Sequence, residues 1–231
     1  MIVEICASNF ESARIAQECG ADRIELCTDL GVGGLTPSRE SIQKVTTELD
    51  IPINVLVRPR KGNFVYSEVE FHEMLDTIEF CRELNCAGVV SGVLTQENEI
   101  DFERTKHLVK ASEGMEFTFH RAFDEVADPI SALNSLIALG VDRLLSSGLE
   151  LNAADGIPLL KQLQEHSAGR IEIMPGAGIN ETNAQLFKVA GFQSIHLSAI
   201  KKGIAINSMF ETGVEGVSDS EIIKKVITIV R

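Results

Sequence analysis

Two short segments predicted to be β-strands each place a glutamate and then a cysteine on one face. The segments are Val3-Glu4-Ile5-Cys6 and Ile24-Glu25-Leu26-Cys27, and the side chains of a strand alternate between its two faces. A carboxyl group whose pKa is raised by burial can act as a general acid or base. Two neighbouring thiolates select a soft ion such as Cu(I). We therefore take Glu25 as a candidate catalytic group, and Cys6 and Cys27 as candidate metal ligands. Packing as small buried apolar side chains is the alternative for the two cysteines.

Further polar side chains follow the third and fifth predicted strands. Arg58 and Arg60 come after the third strand, and a guanidinium can hold a carboxylate or phosphate through two parallel hydrogen bonds. His120 ends the fifth strand and could move protons near neutral pH. Asp124 lies in the loop that follows. It is either a candidate catalytic residue or the partner of Arg121 in a surface salt bridge.

A glycine-rich loop, residues 175–180, follows the seventh predicted strand. Such a loop can present backbone N–H groups to an anion where it enters a helix. We therefore expect Gly176 and Gly178 to bind a phosphate or carboxylate, with a tight turn as the alternative reason for glycine. A second glycine-rich loop, residues 31–38, is a candidate lid.

The elements that must position these residues are eight short runs rich in β-branched and aliphatic residues, separated by amphipathic stretches. The predicted strands are residues 2–5, 23–26, 53–57, 88–91, 116–119, 143–145, 171–174 and 194–197. Strands that alternate with helices predict a parallel sheet. The repeat of about 29 residues is close to that of a βα unit. We predict a single (β/α)8 TIM-barrel domain over residues 1–231. An open doubly wound sheet is disfavoured, because no glycine-rich fingerprint follows the first strand.

In such a barrel, charged side chains on the strands must point into the barrel interior, because the other face is buried against helices. The predicted interior contains Glu4, Cys6, Glu25, Cys27, Arg58, Thr118, His120 and His196. Two interpretations remain open. The cluster is a ligand or catalytic site at the C-terminal rim, with the histidines as possible further metal ligands, or it is an ion-pair network in which Arg58 neutralises Glu25 or Glu4.

The overall charge disfavours several classes of partner. The chain has 34 acidic and 21 basic residues, a net charge of −13, which opposes binding to nucleic acid and to anionic membranes. It has five cysteines in no zinc-binding spacing, and we do not expect its N-terminal residues to form a signal peptide. We therefore expect reduced thiols and a cytoplasmic location. No motif indicates an organic cofactor.

The chain resembles the CutC family of copper homeostasis proteins over most of its length. The resembling segments are residues 3–6, 20–27, 33–38, 57–64, 66–67, 118–124, 145–148 and 174–178. The resemblance implies a (β/α)8 barrel, a cytosolic location and a Cu(I) site at Cys6 and Cys27. We also expect a homo-oligomer. The segment 201–217 is shorter than in longer relatives and lacks their arginine-bearing stretch.

Three functions remain open from the sequence. The first is Cu(I) binding at Cys6 and Cys27 by a cytosolic protein of copper homeostasis. The second is a TIM-barrel enzyme that acts on a small phosphate or carboxylate metabolite, by acid–base chemistry at Glu25, His120 and Arg58. The third is a non-catalytic scaffold with an occluded barrel mouth. The sequence leaves open whether the protein is an enzyme.

Overall fold

A computed structural model describes residues 1–200 and 216–231. The described residues form eight β-strands that alternate with eight α-helices. The strands are β1 Ile2–Ala7, β2 Arg23–Leu26, β3 Ile53–Leu56, β4 Gly88–Ser91, β5 Glu116–Phe119, β6 Arg143–Ser146, β7 Glu172–Pro175 and β8 Ser194–Leu197. The helices are α1 Phe10–Glu18, α2 Arg39–Glu48, α3 Glu68–Glu83, α4 Phe102–Ala111, α5 Pro129–Ala138, α6 Ile157–Ser167, α7 Ala184–Ala190 and α8 Ser220–Val230. Most of the segment 201–217 considered above lies outside the described residues.

All eight strands belong to one parallel sheet. The order is β7-β6-β5-β4-β3-β2-β1-β8, so the first strand lies between β2 and the last strand. A bridge between Gly176 and His196 brings the two ends of the sheet together. The predicted (β/α)8 TIM barrel is confirmed, and the alternative of an open doubly wound sheet is excluded.

Two corners with the same sequence pattern lead into β2 and β6. They are residues 20–23 and 140–143, and each starts with a glycine at positive φ, which is strained for other residues. In each corner the aspartate accepts a 2.8 Å hydrogen bond from a backbone N–H of the preceding strand. The arginine that follows, Arg23 or Arg143, is buried inside the barrel. The repeated pattern therefore places two guanidinium groups at the N-terminal end of the interior.

Side-chain caps fix where the helices begin. Asn9, Ser38, Ser67 and Asp128 each accept a hydrogen bond from a backbone N–H in the first turn of the helix that follows. Such caps satisfy donors that have no partner within the helix. Apolar side chains then fill the layer between helices and strands. Over the described residues, no helix has both the length and the apolar character needed to cross a membrane.

Candidate functional site

The C-terminal ends of the strands surround a cavity of about 820 Å³, a size typical of small-molecule sites. Its polar lining consists of Cys6, Glu25, Arg58, His120, Arg121, Asp124, Glu125, Glu150, His196 and Ser198. Gly178 also lines the cavity, whereas Cys27, Arg60 and Gly176 do not. The structure thus brings six of the nine predicted site residues to one cavity.

A buried chain of three side chains leads to the cavity from β1, β8 and β2. Glu4 Oε1 lies 2.8 Å from Nδ1 of His196, and Nε2 of the same ring lies 3.3 Å from Glu25 Oε2. Glu4 is directly opposite His196 in the register of β1 and β8. The second oxygen of Glu4 accepts hydrogen bonds from Arg23 at 2.6 Å and Asn54 at 3.1 Å. The Glu4–His196–Glu25 chain therefore has a fixed inner end and an outer carboxyl that faces the cavity.

The three groups of this chain differ in their affinity for protons. Burial opposes the charge on Glu4, but the hydrogen bond from His196 and the charge of Arg23 outweigh it and lower the pKa of Glu4 to about 2. Burial raises the pKa of Glu25 to about 7; His196 opposes this shift, and Glu4 adds to it. Although burial lowers it, the pKa of His196 is raised overall by Glu25 and Glu4. Glu25 is therefore the carboxyl group that can take or release a proton near neutral pH.

Cys6 and Cys27 end neighbouring strands, and their Sγ atoms lie 3.4 Å apart. The hydrogen bond to Cys27 and burial raise the pKa of Cys6 well above its usual value. Ligand atoms of Cys6, Glu25 and His196 all lie within 4.8 Å of one another. Adjacent thiols beside an imidazole suit a soft ion such as Cu(I), and they would have to lose their protons on binding it. Cys27 lies behind Cys6 and is buried.

His120 is held at the cavity wall by its own backbone turn and by aromatic rings. Its Nδ1 accepts a hydrogen bond from the N–H of Ala122 at 3.2 Å, and its ring lies 5.0 Å from that of Phe64. Burial, together with the charges of Arg58 and Arg121, lowers the pKa of His120 to about 3. The imidazole is therefore neutral at physiological pH, with its proton on Nε2.

The Arg58 guanidinium binds loops rather than carboxylates. It donates to the carbonyl oxygens of Val32, Gly34 and Gly62 at 2.9–3.0 Å, and it lies over the ring of Phe64. The predicted ion pair of Arg58 with Glu25 or Glu4 is therefore wrong. Arg58 lies beyond the end of its strand, where its side chain reaches backbone carbonyls of the rim loops. The same bonds fix part of the loop considered as a lid.

Arg60 lies outside the cavity. Its guanidinium donates to Glu70 at 2.6 Å and to the carbonyl oxygens of Asn63 and Val65, and it covers the ring of Tyr66. These bonds hold the β3–α3 loop against the start of α3. The structure therefore separates Arg60 from the other predicted anion-binding residues.

Asp124 organises the rim between β5 and β6. Its carboxylate accepts hydrogen bonds from the Ser146 hydroxyl at 2.6 Å and from the N–H of Ser147 at 3.0 Å. It also pairs with Arg121 at 2.7 Å. The alternative of an Arg121–Asp124 salt bridge is thus realised, although both residues also line the cavity.

The glycines of the loop after β7 have different roles. A Cβ atom on Gly176 would lie 2.5 Å from a methyl carbon of Leu145, so close packing requires glycine there. The Gly176 N–H donates to the Ser146 carbonyl. Gly178 has a φ of +69°, and its carbonyl accepts from the side chains of Asn180 and Asn183. Of these two glycines, only Gly178 lines the cavity.

The prediction missed the arginines inside the barrel. Arg23 pairs with Glu4, while Arg143 pairs with Glu172 at 2.8 Å and Glu116 at 2.9 Å. Arg23 has the same strand parity as Glu25, so alternation along β2 was the signal that could have placed it inside the barrel. With Arg23 in place, Glu4 no longer needs Arg58 as its counter-charge.

The comparisons of this sequence with known proteins agree on one family. The family model of the CutC family matches residues 1–201. A family protein CutC from Pasteurella multocida is 45% identical over 210 residues, which cover 90% of this chain and 85% of the relative. Another from Glaesserella parasuis is 48% identical over 200 residues, covering 86% of this chain and 82% of the relative.

A solved structure described as a copper homeostasis protein CutC from Streptococcus agalactiae is similar over most of this chain. It has a TM-score of 0.81 and 34% identity, and the match covers 86% of this chain and 98% of that one. The phosphoribosylanthranilate isomerase from Pyrococcus furiosus has a TM-score of 0.61 at 15% identity, which shows a shared fold alone. The family model and these relatives together show that the chain belongs to the CutC family.

Proposed function

We propose that the barrel mouth is the active site of an enzyme that moves a proton between two positions of a small anionic metabolite. Glu25 takes and returns the proton in this proposal. The supporting observation is the Glu4–His196–Glu25 chain, in which a buried carboxyl group faces a cavity of about 820 Å³. Because its pKa is raised to about 7, this carboxyl group has the proton affinity that suits a general base at neutral pH.

Among the charged groups of the cavity, which include four carboxyl groups and two arginines, it is Arg58 that supports an anionic ligand. Arg58 and Arg121 both line the cavity, and so does Gly178 in the loop after β7. Arg58 is buried, and its guanidinium is bonded to neutral carbonyl oxygens rather than to a carboxylate. Its positive charge is therefore left uncompensated by those hydrogen bonds, which favours a negative group on the ligand.

The proposal is tested by ligand binding and by titration of one carboxyl group. Inorganic phosphate and small phosphorylated or carboxylated metabolites should raise the melting temperature of the wild type, and less so that of Arg58→Met. The ¹³C chemical shift of the Glu25 carboxyl group should titrate near neutral pH. Glu103→Gln, on an exposed face of α4, is the control substitution. It should leave both the anion-induced rise in melting temperature and the titration of Glu25 unchanged. The proposal fails if no anion stabilises the protein, or if Glu25 titrates in its ordinary range.

A second candidate function is Cu(I) binding, which the 3.4 Å separation of the Cys6 and Cys27 sulfurs favours. It agrees with the name copper homeostasis protein given to the Streptococcus agalactiae relative. Anaerobic titration with Cu(I) against a chromophoric chelator should show one equivalent bound by the wild type. The Cys6→Ser, Cys27→Ser double variant should lose it.

The matched control for this experiment is a second pair of buried cysteines. Cys81 and Cys86 interact with each other but lie away from the cavity, so replacing both with serine should leave Cu(I) binding intact. If the variant lacking Cys6 and Cys27 binds copper as well as the wild type does, these two residues are not the site.

We also propose a cellular location, a domain organisation and an oligomeric state for the protein. All five cysteines are free thiols, the usual state in a reducing cytoplasm, which supports a cytoplasmic location. A single domain over residues 1–231 and a homo-oligomer remain predictions. Limited proteolysis and light scattering of the purified protein, respectively, test them.

A further inference from the structure

One buried hydrogen-bond donor at the cavity wall has no partner among the described residues. Nε2 of His120 makes no hydrogen bond, although its side chain is buried and lines the cavity. An unsatisfied buried polar group destabilises the folded state, and such groups are rare in folded proteins. Because His120 lines the cavity, a ligand bound there is the candidate partner of this atom.

The hydrogen bond at Nδ1 determines whether Nε2 donates or accepts a hydrogen bond. Nδ1 accepts the N–H of Ala122, so in a neutral ring the proton must be on Nε2. The rings of Phe64 and Phe119 pack against the imidazole at 5.0 and 6.0 Å and keep it in place. Burial, together with the charges of Arg58 and Arg121, keeps the ring neutral, because both raise the free energy of a positive charge on the imidazole. His120 therefore presents a fixed N–H donor that carries no net charge.

We propose that His120 donates this hydrogen bond to the carbonyl oxygen of the substrate, and that the substrate is a carbonyl compound carrying an anionic group. The inference rests on the proposed function, because Glu25 is the group that removes the proton. A neutral donor suits this role, because it stabilises the charge that develops on the oxygen without first binding tightly to the substrate's anionic group.

The reaction class that follows is enolisation. The Glu25 carboxylate takes a proton from the carbon next to the carbonyl group, and the electron pair of the broken C–H bond forms a C=C bond. The π electrons of the C=O bond move to the oxygen, which accepts the hydrogen bond from His120 Nε2. For a substrate with a hydroxyl group on the original carbon, the hydroxyl proton passes to the former carbonyl oxygen, and the electron pair of the broken O–H bond forms a new C=O bond at the original carbon. The C=C π electrons take the proton back from Glu25 at the former carbonyl carbon, which isomerises the substrate. No oxidant or further reactant is needed.

Binding of enolate analogues tests the proposal. Phosphoglycolohydroxamate and oxalate resemble the enolate of a phosphorylated and of a carboxylated substrate, and glycerol 3-phosphate and glycolate are their controls without a planar enolate. By calorimetry, we expect one analogue to bind about 100-fold more tightly than its control, as transition-state analogues do. The pair that shows the preference distinguishes a phosphate from a carboxylate substrate.

Two substitutions of His120 separate the donor from the turn that holds it. His120→Asn keeps an acceptor for the Ala122 N–H but has no donor at the Nε2 position, so the preference for the analogue should fall about tenfold or more. His120→Gln places an amide N–H near the Nε2 position and should keep part of the preference. His107→Gln, on α4, is the control. Independently, ¹⁵N NMR of the wild type should show a neutral His120 with its proton on Nε2 down to about pH 5.

The outcomes also separate this inference from the proposed function. If simple anions stabilise the protein but neither analogue is preferred, the anionic site stands and the carbonyl inference is overturned. An unchanged preference in His120→Asn overturns it as well, and so does an imidazole that carries its proton on Nδ1. If neither the anions nor the analogues bind, both proposals are overturned.

Discussion

The N-terminal half of the barrel interior and the barrel mouth are built from similar residues but differ in how these are paired. In the N-terminal half, Arg143 binds Glu172, Glu116 and the Thr118 hydroxyl within 3.0 Å. At the mouth, Glu25 has a single imidazole neighbour at 3.3 Å, and buried nitrogens of Arg58 and His120 have no partner among the described residues. Buried charges stabilise a fold only when they are paired. The difference therefore suggests that pairing in the mouth is left for a ligand to complete.

Glu4 links the two regions, and its substitution should have the largest effect on stability. Glu4→Gln leaves the buried Arg23 with only Glu172, at 4.0 Å, as a counter-charge, so we expect the free energy of unfolding to fall by about 3–5 kcal/mol in urea titrations. Glu116→Gln is the matched control, because the Glu116 carboxylate also pairs with an arginine but its side chain is 50% exposed. Equal losses in the two variants would contradict the comparison.

Substitution of Glu25 should have the opposite effect on stability, because it should stabilise the protein at the higher pH. Its pKa in the folded protein, about 7, exceeds the ordinary value of 4.5, so between these pH values the folded state binds the proton more tightly than the unfolded state. Stability of the wild type should therefore fall as the pH rises through this range. Glu25→Gln lacks this loss and should be about 1–3 kcal/mol more stable than the wild type near pH 8.

The measurement for Glu25 is urea unfolding of the wild type and Glu25→Gln at about pH 5 and about pH 8. The advantage of the variant should appear mainly at the higher pH. A difference between the two proteins that does not depend on pH would show that Glu25 is paired in the folded state like the acids of the N-terminal half.

Asp124 lies at the rim and should give an intermediate effect. Asp124→Asn weakens the charge-assisted bonds to Ser146 and Ser147 and removes the ion pair with Arg121. We expect a loss of about 1–2 kcal/mol in the free energy of unfolding. Faster amide hydrogen exchange should be confined to the loops after β5 and β6, and exchange spread over the whole barrel would contradict a local role.

Arg60 should give the smallest effect. Its partner is Glu70, and the side chains of this pair are 34% and 25% exposed, so Arg60→Met should cost about 1 kcal/mol or less. Anion binding, measured by thermal shift, should be unchanged, because Arg60 does not line the cavity. Loss of anion binding in this variant would show that Arg60 contributes to the anion-binding site.

Much of the fold was predictable from the sequence. Strands β2, β4, β5 and β8 begin and end where the sequence pattern predicts, because short β-branched runs bounded by turn residues leave little freedom. Strand parity also placed Glu4, Glu25 and His196 together correctly, since alternation is a property of the backbone.

The pairing of the charges was not predictable in the same way. Parity gives the face of a strand but not the partner of a side chain, so it leaves Arg58 as a possible partner of Glu4, which Arg23 in fact binds. Arg58 and Arg60 lie beyond the strand, where three-dimensional loop geometry decides which backbone carbonyls a guanidinium reaches. The sequence contains no local signal for such a convergence.

The contact between Glu4 and His196 joins residues 192 positions apart in the chain. A nascent chain that has made β1 and β2 already contains Glu4 and Glu25, but it lacks the imidazole that connects them. Its carboxyl groups therefore have ordinary surroundings until β8 docks and completes the barrel. Burial, which raises the pKa of Glu25, is complete only when the last strand is in place. The proposed general base therefore forms only in the fully folded barrel.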